Sequence, residues 1–433
     1  MTRHVAVVGS GISGLAVAHG LRDEARVTLF EAGDYFGGHT HTVDVTLDGT
    51  THGVDTGFLV LNERTYPNLL RLFEQLGIEI AKSDMSFSVQ VPSVGMEWSG
   101  CDLNTVFAQR ANLLRPRFWR MLADLMRFNK LATALAETGQ ASQLDQPIGE
   151  FLTQHRFSNE FRDWYFLPMI GCIWSCPVDQ MLRFPVATMI RFCHNHGLLQ
   201  VADRPQWYTV RGGAHTYVRK MLESIPDARL NTPVLRVRRL LSSDGPAVLV
   251  STAAGTERFD EVVMACHSDQ SLALLADPSA AEAAVLGAIR YHCNRAVLHT
   301  DTSLLPTRRL AWAAWNYERA ADDAREQATV CLHYLLNRLQ PLPFKTPVVV
   351  SLNPVREPRA GTIHAEFDYA HPVFDMAAIA AQQRLPELQG RQHTWFAGAW
   401  TRYGFHEDGL MSGLAACDGL RASWAHECLP EAA

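Results

Sequence analysis

The chain has 433 residues, of which 47% are hydrophobic, and a formal net charge of −6. This is the composition of a globular protein with one large or two medium cores, which excludes a disordered or collagen-like chain, and with no strongly basic block nucleic acid is not an expected partner. The nine cysteines are odd in number and include no C-x-x-C pair, so neither a disulfide framework nor a zinc ribbon is expected, and a reducing cytoplasm fits better. The N-terminus enters a strand at once, without the parts of a secretory leader, and no apolar run reaches the roughly eighteen residues of a membrane span.

Residues 4–8 read as a short buried strand. A glycine-rich turn and a helical stretch to about Leu21 follow, and 27–32 read as a second buried strand. That is the order and length of one βαβ unit. Residues 66–76 carry apolar residues at helical spacing and stop at Gly77, a C-cap signal. Residues 104–137 read as helical, and 159–200 are dense in Trp, Tyr, Phe, Met and Cys. Strands are expected over 229–239, 247–251 and 261–265, then a helix and a strand over 279–300. Further strands are expected over 312–317, 329–336, 347–353 and 393–400, with a final helix over 410–425. A sheet that starts at residue 4 and takes strands from near 230, 262 and 395 implies a discontinuous domain.

Gly9-x-Gly11-x-x-Gly14, with Ser13 inside the turn, lies between the first strand and helix. Gly9 permits a tight turn, Gly11 lets the backbone approach a pyrophosphate, and Gly14 lets helix and strand pack closely. The helix start offers free N–H groups and a positive dipole end to phosphate. Glu31, followed by Ala32, ends the second strand about twenty residues on, where a carboxylate takes ribose hydroxyls. These residues alone leave NAD and FAD open. A bare glycine turn with a solvated Glu31 is the plain alternative.

Further segments bear on the cofactor. They are Gly37-Gly38-His39-Thr40-His41-Thr42, Val54-Asp55-Thr56-Gly57-Phe58, Trp207-Tyr208-Thr209-Val210-x-Gly212-Gly213 with Tyr217, and Thr232-Pro233-Val234-x-x-Val237. At the C-terminal end come Phe396-Ala397-Gly398, Gly404, Glu407-Asp408-Gly409-Leu410 and Ser412-Gly413. In order and spacing, over nearly the whole chain, they resemble the flavin amine oxidase and phytoene desaturase superfamily. That superfamily has arginine where this chain has His39. The resemblance implies FAD, held by Gly37, Gly38, His39, Thr40, Asp55, Thr56, Gly57, Phe58, Val234, Gly398, Asp408, Gly409 and Leu410. It implies a last helix whose N-terminus faces the flavin, where a dipole stabilises the reduced anion. It also implies an α/β fold: a Rossmann-like FAD-binding domain from 1–80, 205–275 and 390–433, and an α+β substrate domain from 81–204 and 276–389. Gly398-Ala399-Trp400 departs from the more usual Gly-Glu or Gly-Asp, and Asp408 or Glu407 could substitute for that carboxylate.

Finer wording resembles a bacterial subgroup related to the desaturase-like flavoprotein of furan fatty acid synthesis, whose members are associated with cyclopropane-type fatty acid methyltransferases. The residues are 167–177, 194–199, 266–275, 311–317, 337–342, 351–354 and 403–413. A lipophilic molecule or a phospholipid acyl chain is the partner implied, with such a methyltransferase beside it. Amine oxidases of the superfamily carry a lysine near the flavin on a strand that matches 291–298, where this chain has Asn294 or Arg295. Desaturation therefore stands ahead of amine oxidation. A flavin-binding subunit without its own turnover is a third reading.

His406, beside the C-terminal motif, could accept a proton or only pack and hydrogen-bond a flavin carbonyl; Glu407 could instead take a proton or bind the ribityl chain, and Tyr403 could wall the pocket. The resemblance places His39 and His41 near the pyrophosphate and flavin, where a plain hydrogen bond is the leading reading and phosphate binding or covalent anchoring of the flavin the alternatives. Tyr165, Trp174 and Trp315 are the candidate substrate wall, although such residues more often form core. No metal site is expected, since His194 and His196 lack a third ligand and Cys172 and Cys176 read as buried thiols. Residues 109–130 set Arg110, Arg115, Arg117, Arg120, Arg127 and Lys130 among apolar residues. Such a helix can lie on an anionic membrane at the inner surface, and an ordinary solvated face gives the same pattern.

Overall fold

The structure, a computed structural model, describes residues 2–140, 144, 146–200, 204–242, 245–320 and 329–427. Arg3–Val8 and Ala25–Phe30 are apolar and buried along nearly their whole length. That is the pattern of strands covered on both faces of a parallel sheet. Asp227–Arg229, Glu261–Met264 and Thr394–Phe396 join them, in the spatial order 227, 25, 3, 261, 394, and every pairing is parallel. The helix Ile12–Gly20 crosses between the first two strands. It is buried from Ile12 to Ala18, so it is apolar all round rather than striped. The 22-residue final helix, His406–Glu427, packs along it.

A seven-stranded sheet forms the second layer system, in the order 363, 290, 349, 332, 315, 87, 96. Its pairings are antiparallel except for Trp315–Glu318 with Phe87–Val91. Helices from 103 to 195 cover one face of this sheet, and their aromatic and methionine side chains make the largest core cluster. A mixed α/β fold with a parallel sheet and a separate multi-stranded sheet is the architecture.

Several elements differ from the sequence expectation for local reasons. The helix expected over 104–137 is three pieces, Leu103–Val106, a 3-10 turn at Arg110–Leu114 and Pro116–Glu137. Pro116 forces the residue before it out of the helical region and then starts a new helix. The strand expected over 229–239 is two strands in different sheets, because Asn231 turns at φ 50 and Pro233 cannot donate to a ladder. The strand expected over 312–317 begins at Trp315, since the Asn316 side chain accepts from Ala313 N at 2.9 Å and folds the preceding residues into a turn. The edge strand Ile363–Val373 had no counterpart in the sequence reading.

The turn after the first strand is tight. Gly9 lies at φ +103, and a Cβ on Gly14 would fall 1.9 Å from the Gly9 carbonyl oxygen. Gly14→Ala is therefore expected to destabilise the cofactor-free protein by about 1–3 kcal/mol, the usual range for overpacking. Denaturant unfolding followed by tryptophan fluorescence checks this.

Candidate active site

A cavity of about 790 Å³ opens between the carboxyl ends of the parallel strands and the inner face of the seven-stranded sheet. That is where ligands sit in open α/β sheets. On the parallel-sheet side its wall is Gly9, Ser10, Gly11, Ser13, Glu31, Ala32, Gly37, Gly38 and His39, with Thr232 and Val234 beyond. Glu31 is fixed by the backbone it faces: Ser10 N and Ser10 Oγ donate to Oε2 at 3.0 and 2.5 Å, and Gly33 N donates to Oε1 at 2.8 Å. Ser10 escaped the sequence reading because a serine in a glycine-rich turn carries no distinguishing signal.

This wall fits a dinucleotide. The helix Ile12–Gly20 starts at Gly11 with no side-chain cap, so its first N–H groups have no acceptor within the helix. A Cβ on Gly11 would meet nothing within 4 Å, so the backbone there is open to a close approach. His39 Nε2 is buried without a partner. Burial, reinforced by His267 and His41, pulls the His39 imidazole down to about 4. It is therefore neutral at ordinary pH and offers a hydrogen bond where an arginine would offer charge.

Thr56, Gly57 and Phe58 continue the wall and meet Gly398, Gly404, Phe405 and His406 at the start of the last helix. His406 stacks on Phe58, with ring centroids 3.9 Å apart. Its Nε2 is 2.6 Å from Tyr217 Oη, which is 2.5 Å from Thr40 Oγ1. Thr40 thus sits in a hydroxyl chain behind the wall. Whichever way the protons run, that chain occupies Nε2 of His406, a residue that lines the cavity. Burial pulls the His406 imidazole down to about 3, with His39 adding to the effect. The base expected at His406 is accordingly a hydrogen-bonding ring with little affinity for a proton.

Other expected residues turn away from the cavity. The Glu407 carboxylate accepts from Asn68 N at 2.9 Å, Asn68 Nδ2 at 2.7 Å and Leu69 N at 2.9 Å, so it caps the helix Pro67–Leu76. It is a structural acid rather than a catalytic one. Asp408 accepts from Phe405 N at 3.0 Å, and burial pushes it up to about 6. Asp55 accepts from Thr42 Oγ1 at 2.5 Å, Ala214 N at 2.9 Å and Gln340 Nε2 at 2.7 Å, and burial pushes it up to about 7. The Gly409 carbonyl takes Ser13 Oγ and Ser412 Oγ, each at 2.8 Å, and Leu410 lies in the core. Tyr403 is outside the wall, and its carbonyl accepts the Trp174 indole N–H at 3.2 Å. Trp174 itself packs on Phe184 and Phe192, and Tyr165 packs on Trp98 and Phe161. Those two rings form core under the helices, as helical neighbours of the true wall residues Met169 and Ile173.

The far wall comes from both layers: Met85, Phe87, Met169, Ile173, Phe192, Leu198, Trp207, Trp315, Tyr334 and Leu352. Tyr369 and His371, on the unexpected edge strand, and His267 and Tyr291 close the side nearest His39. The period-two alternation of Ile363, Ala365, Phe367 and Tyr369 was the signal that could have found that strand. In the whole described lining Glu31 is the one charged side chain. Of the two residues expected to match the lysine, Asn294 is buried and bonded to Ser175 O, His371 Nδ1 and Asn353 Nδ2. Arg295 points outward to Glu357 and Glu366.

Among the described residues Glu318, Cys331 and His333 bring three metal-type ligands within 4.8 Å of one another. They lie on the sheet face away from the cavity. His333 is already bonded at both nitrogens, to Glu318 at 3.0 Å and Ser351 at 2.7 Å, and Arg356 stands 3.6 Å from Glu318.

Residues 12–337 match the model of the family described as flavin containing amine oxidoreductase. The chain belongs to that family. It is accordingly a flavin-dependent oxidoreductase, with FAD as cofactor. The curated proteins include none with a significant sequence match. Solved structures share its fold at low identity. Cyclohexylamine oxidase from Brevibacterium oxydans is 16% identical with a TM-score of 0.67, covering 98% of this chain and all of its own. A fatty acid isomerase from P. acnes is 15% identical with a TM-score of 0.66, covering 97% of this chain and 98% of its own. A candidate protoporphyrinogen oxidase from Exiguobacterium is 17% identical with a TM-score of 0.68, covering 98% and 99%.

Two outcomes follow for this flavoprotein. Glu407→Gln is expected to keep the flavin band and lose about 1–3 kcal/mol of stability, because a charge-assisted cap becomes a neutral one. Spectra and denaturant unfolding read the two separately. The folded-state values of His39 and His406 lie below the ordinary histidine value, so their contribution is present above about 6.5 and is lost as pH falls toward 4 and 3. Between pH 6.5 and 4 the unfolded chain binds more protons, so stability rises with pH there. In the cofactor-free protein, His406→Gln should flatten that rise in the urea midpoint.

Proposed function

We propose that this flavoprotein removes hydride from a lipophilic, uncharged substrate, and that the substrate is a methylated or otherwise modified fatty acyl chain in which it introduces a double bond. The observation that carries this reading is the far wall. It is built of rings, thioethers and branched aliphatics, and in the described lining only Glu31, at the dinucleotide end, is charged. A charged substrate buried there would lack a partner, whereas an alkyl chain is stabilised by every contact.

FAD, when bound, supplies the hydride acceptor. The chain's part is to bind, orient and exclude water. Trp315, Tyr334 and Phe87 offer flat surfaces against which an acyl chain can be held. Phe58 fixes the ring plane of His406, and the hydroxyl chain through Tyr217 and Thr40 fixes its rotation. The neutral imidazoles of His371 and His406 stand in the wall as acceptors for the proton lost from the adjoining carbon. Such weak acceptors pass a proton on to solvent rather than hold it. The fatty acid isomerase of the same fold shows that this architecture can house a protein named for a fatty acid.

The family match itself favours a second reading, oxidation of an amine. That reading has no carboxylate near the described far wall to pair an ammonium group. Among the described residues no helix is long and apolar enough to cross a membrane. A lipid substrate would be met at a membrane surface, with a lipid methyltransferase as the neighbouring activity that supplies methylated chains.

Anaerobic addition of phospholipids with methylated unsaturated chains is expected to bleach the flavin band and yield a product two hydrogens lighter. Bleaching by small amines instead would establish the second reading. A flavin that neither class reduces would indicate a cofactor-binding subunit of the methyltransferase. Trp315→Ala is expected to raise KM for a long-chain substrate about tenfold, equivalent to roughly 1.5 kcal/mol of lost apolar contact, and to leave the flavin spectrum unchanged. Steady-state kinetics across chain lengths check this.

A further inference from the structure

The described chain exposes ten large hydrophobic side chains, and six of them, Val94, Leu103, Leu113, Leu114, Trp119 and Leu310, fall on one corner. Leu114 is 88% exposed and Leu103 79%. Specific contacts weld the corner together. Trp119 donates its indole N–H to Leu113 O at 2.9 Å and packs on Phe107 at 5.3 Å. Arg110 donates to Phe107 O at 2.8 Å, and Arg115 donates to Gly95 O at 3.2 Å. The turn Arg309–Ala311 packs beside Leu103–Val106. Protruding leucines held this firmly are not a frayed end.

The charge around them is mostly of one sign, with Asp102, the cap of Leu103–Val106, as the acidic exception. Residues 103–122 contain four arginines and no carboxylate, in a chain whose net charge is −6. Arg117 and Arg120 share Glu160, at 2.6 and 3.8 Å, whereas Arg110 and Arg115 donate to neutral carbonyl and amide oxygens and keep their charge uncompensated. Exposed leucines and a tryptophan ringed by unpaired guanidinium groups match the boundary between acyl chains and anionic head groups.

We propose that this corner docks the protein on an anionic lipid bilayer, with Leu103, Leu113, Leu114 and Trp119 entering the interface and Arg110 and Arg115 meeting the head groups. The docking element is thus the two short turns before Pro116 and the first turn of the helix after it. The outer face of that helix at Arg127 is not part of it: Arg127 is spent on Asp124, His155 O and Arg156 O. This inference rests on the surface and not on the substrate reading. A protein that binds vesicles but whose flavin no lipid reduces would retain this proposal and lose the other.

The test is flotation of the FAD-loaded protein with vesicles of phosphatidylcholine alone or mixed with phosphatidylglycerol. The expected result is co-flotation with the anionic vesicles, weakened in high salt and absent with phosphatidylcholine. Leu103→Gln with Leu114→Gln should weaken it about tenfold or more while leaving the flavin spectrum intact, and Arg110→Gln with Arg115→Gln should remove the salt dependence. Equal flotation of the wild type and the leucine variant would overturn the proposal. So would failure to float combined with self-association that the leucine variant abolishes, which would make the corner a contact between copies of the chain.

Discussion

The cofactor site depends on one contact between the two ends of the chain. Ser13, in the first helix, donates to the carbonyl of Gly409, in the last, at 2.8 Å across 396 residues of sequence. The two helices lie close enough that their N-termini open on the same cavity. Each brings backbone donors with no acceptor of their own and the positive end of a dipole. A flavin dinucleotide bound in this cavity would be held by residues at the start of both helices, Gly11 and Ser13 in the first and His406 in the last. Glu407 extends this tie to a third helix by capping Pro67–Leu76. The last helix is therefore anchored from two sides at the turn that faces the cavity.

Desolvation sets the character of everything else in the cavity. Its histidines are held neutral, and its carboxylates Asp55 and Asp408 are turned into the protein and pushed upward. The wall consequently offers apolar surface and little charge. The same principle explains His39. An arginine there would bring a permanent positive charge, whereas a buried imidazole brings a donor and an acceptor without one. Specificity then falls to the rings of the far wall, which come from both the helical layer and the seven-stranded sheet.

Much of the cofactor half was legible in the residues. The glycine turn with its flanking apolar strands has the order and spacing of a βαβ unit, and the structure shows that unit. Glu31 was readable because it ends a strand at a fixed distance. The substrate half was less so. Tyr165 and Trp174 share their composition with Met169 and Ile173, and composition cannot tell which side of a short helix faces a cavity. Glu407 and His406 are neighbours in the motif and point in opposite directions. Their roles depend on where the helix Pro67–Leu76 and Tyr217 lie, and both are distant in sequence.

By itself, then, the sequence determined the parallel strands and the first helix, because these follow from local periodicity and close backbone packing, whereas the flavin-binding class rested on the resemblance to the flavin amine oxidase superfamily. Tertiary structure decided which polar groups stay open to a ligand. It buried Asp55, spent Glu407 on a cap and left His39 and His406 at the wall. It also carried the strand Ile363–Val373, with Tyr369 and His371, to the cavity edge. The physical reason is that a polar side chain's function depends on whether its hydrogen bonds are already made. That is settled by partners brought from far along the chain.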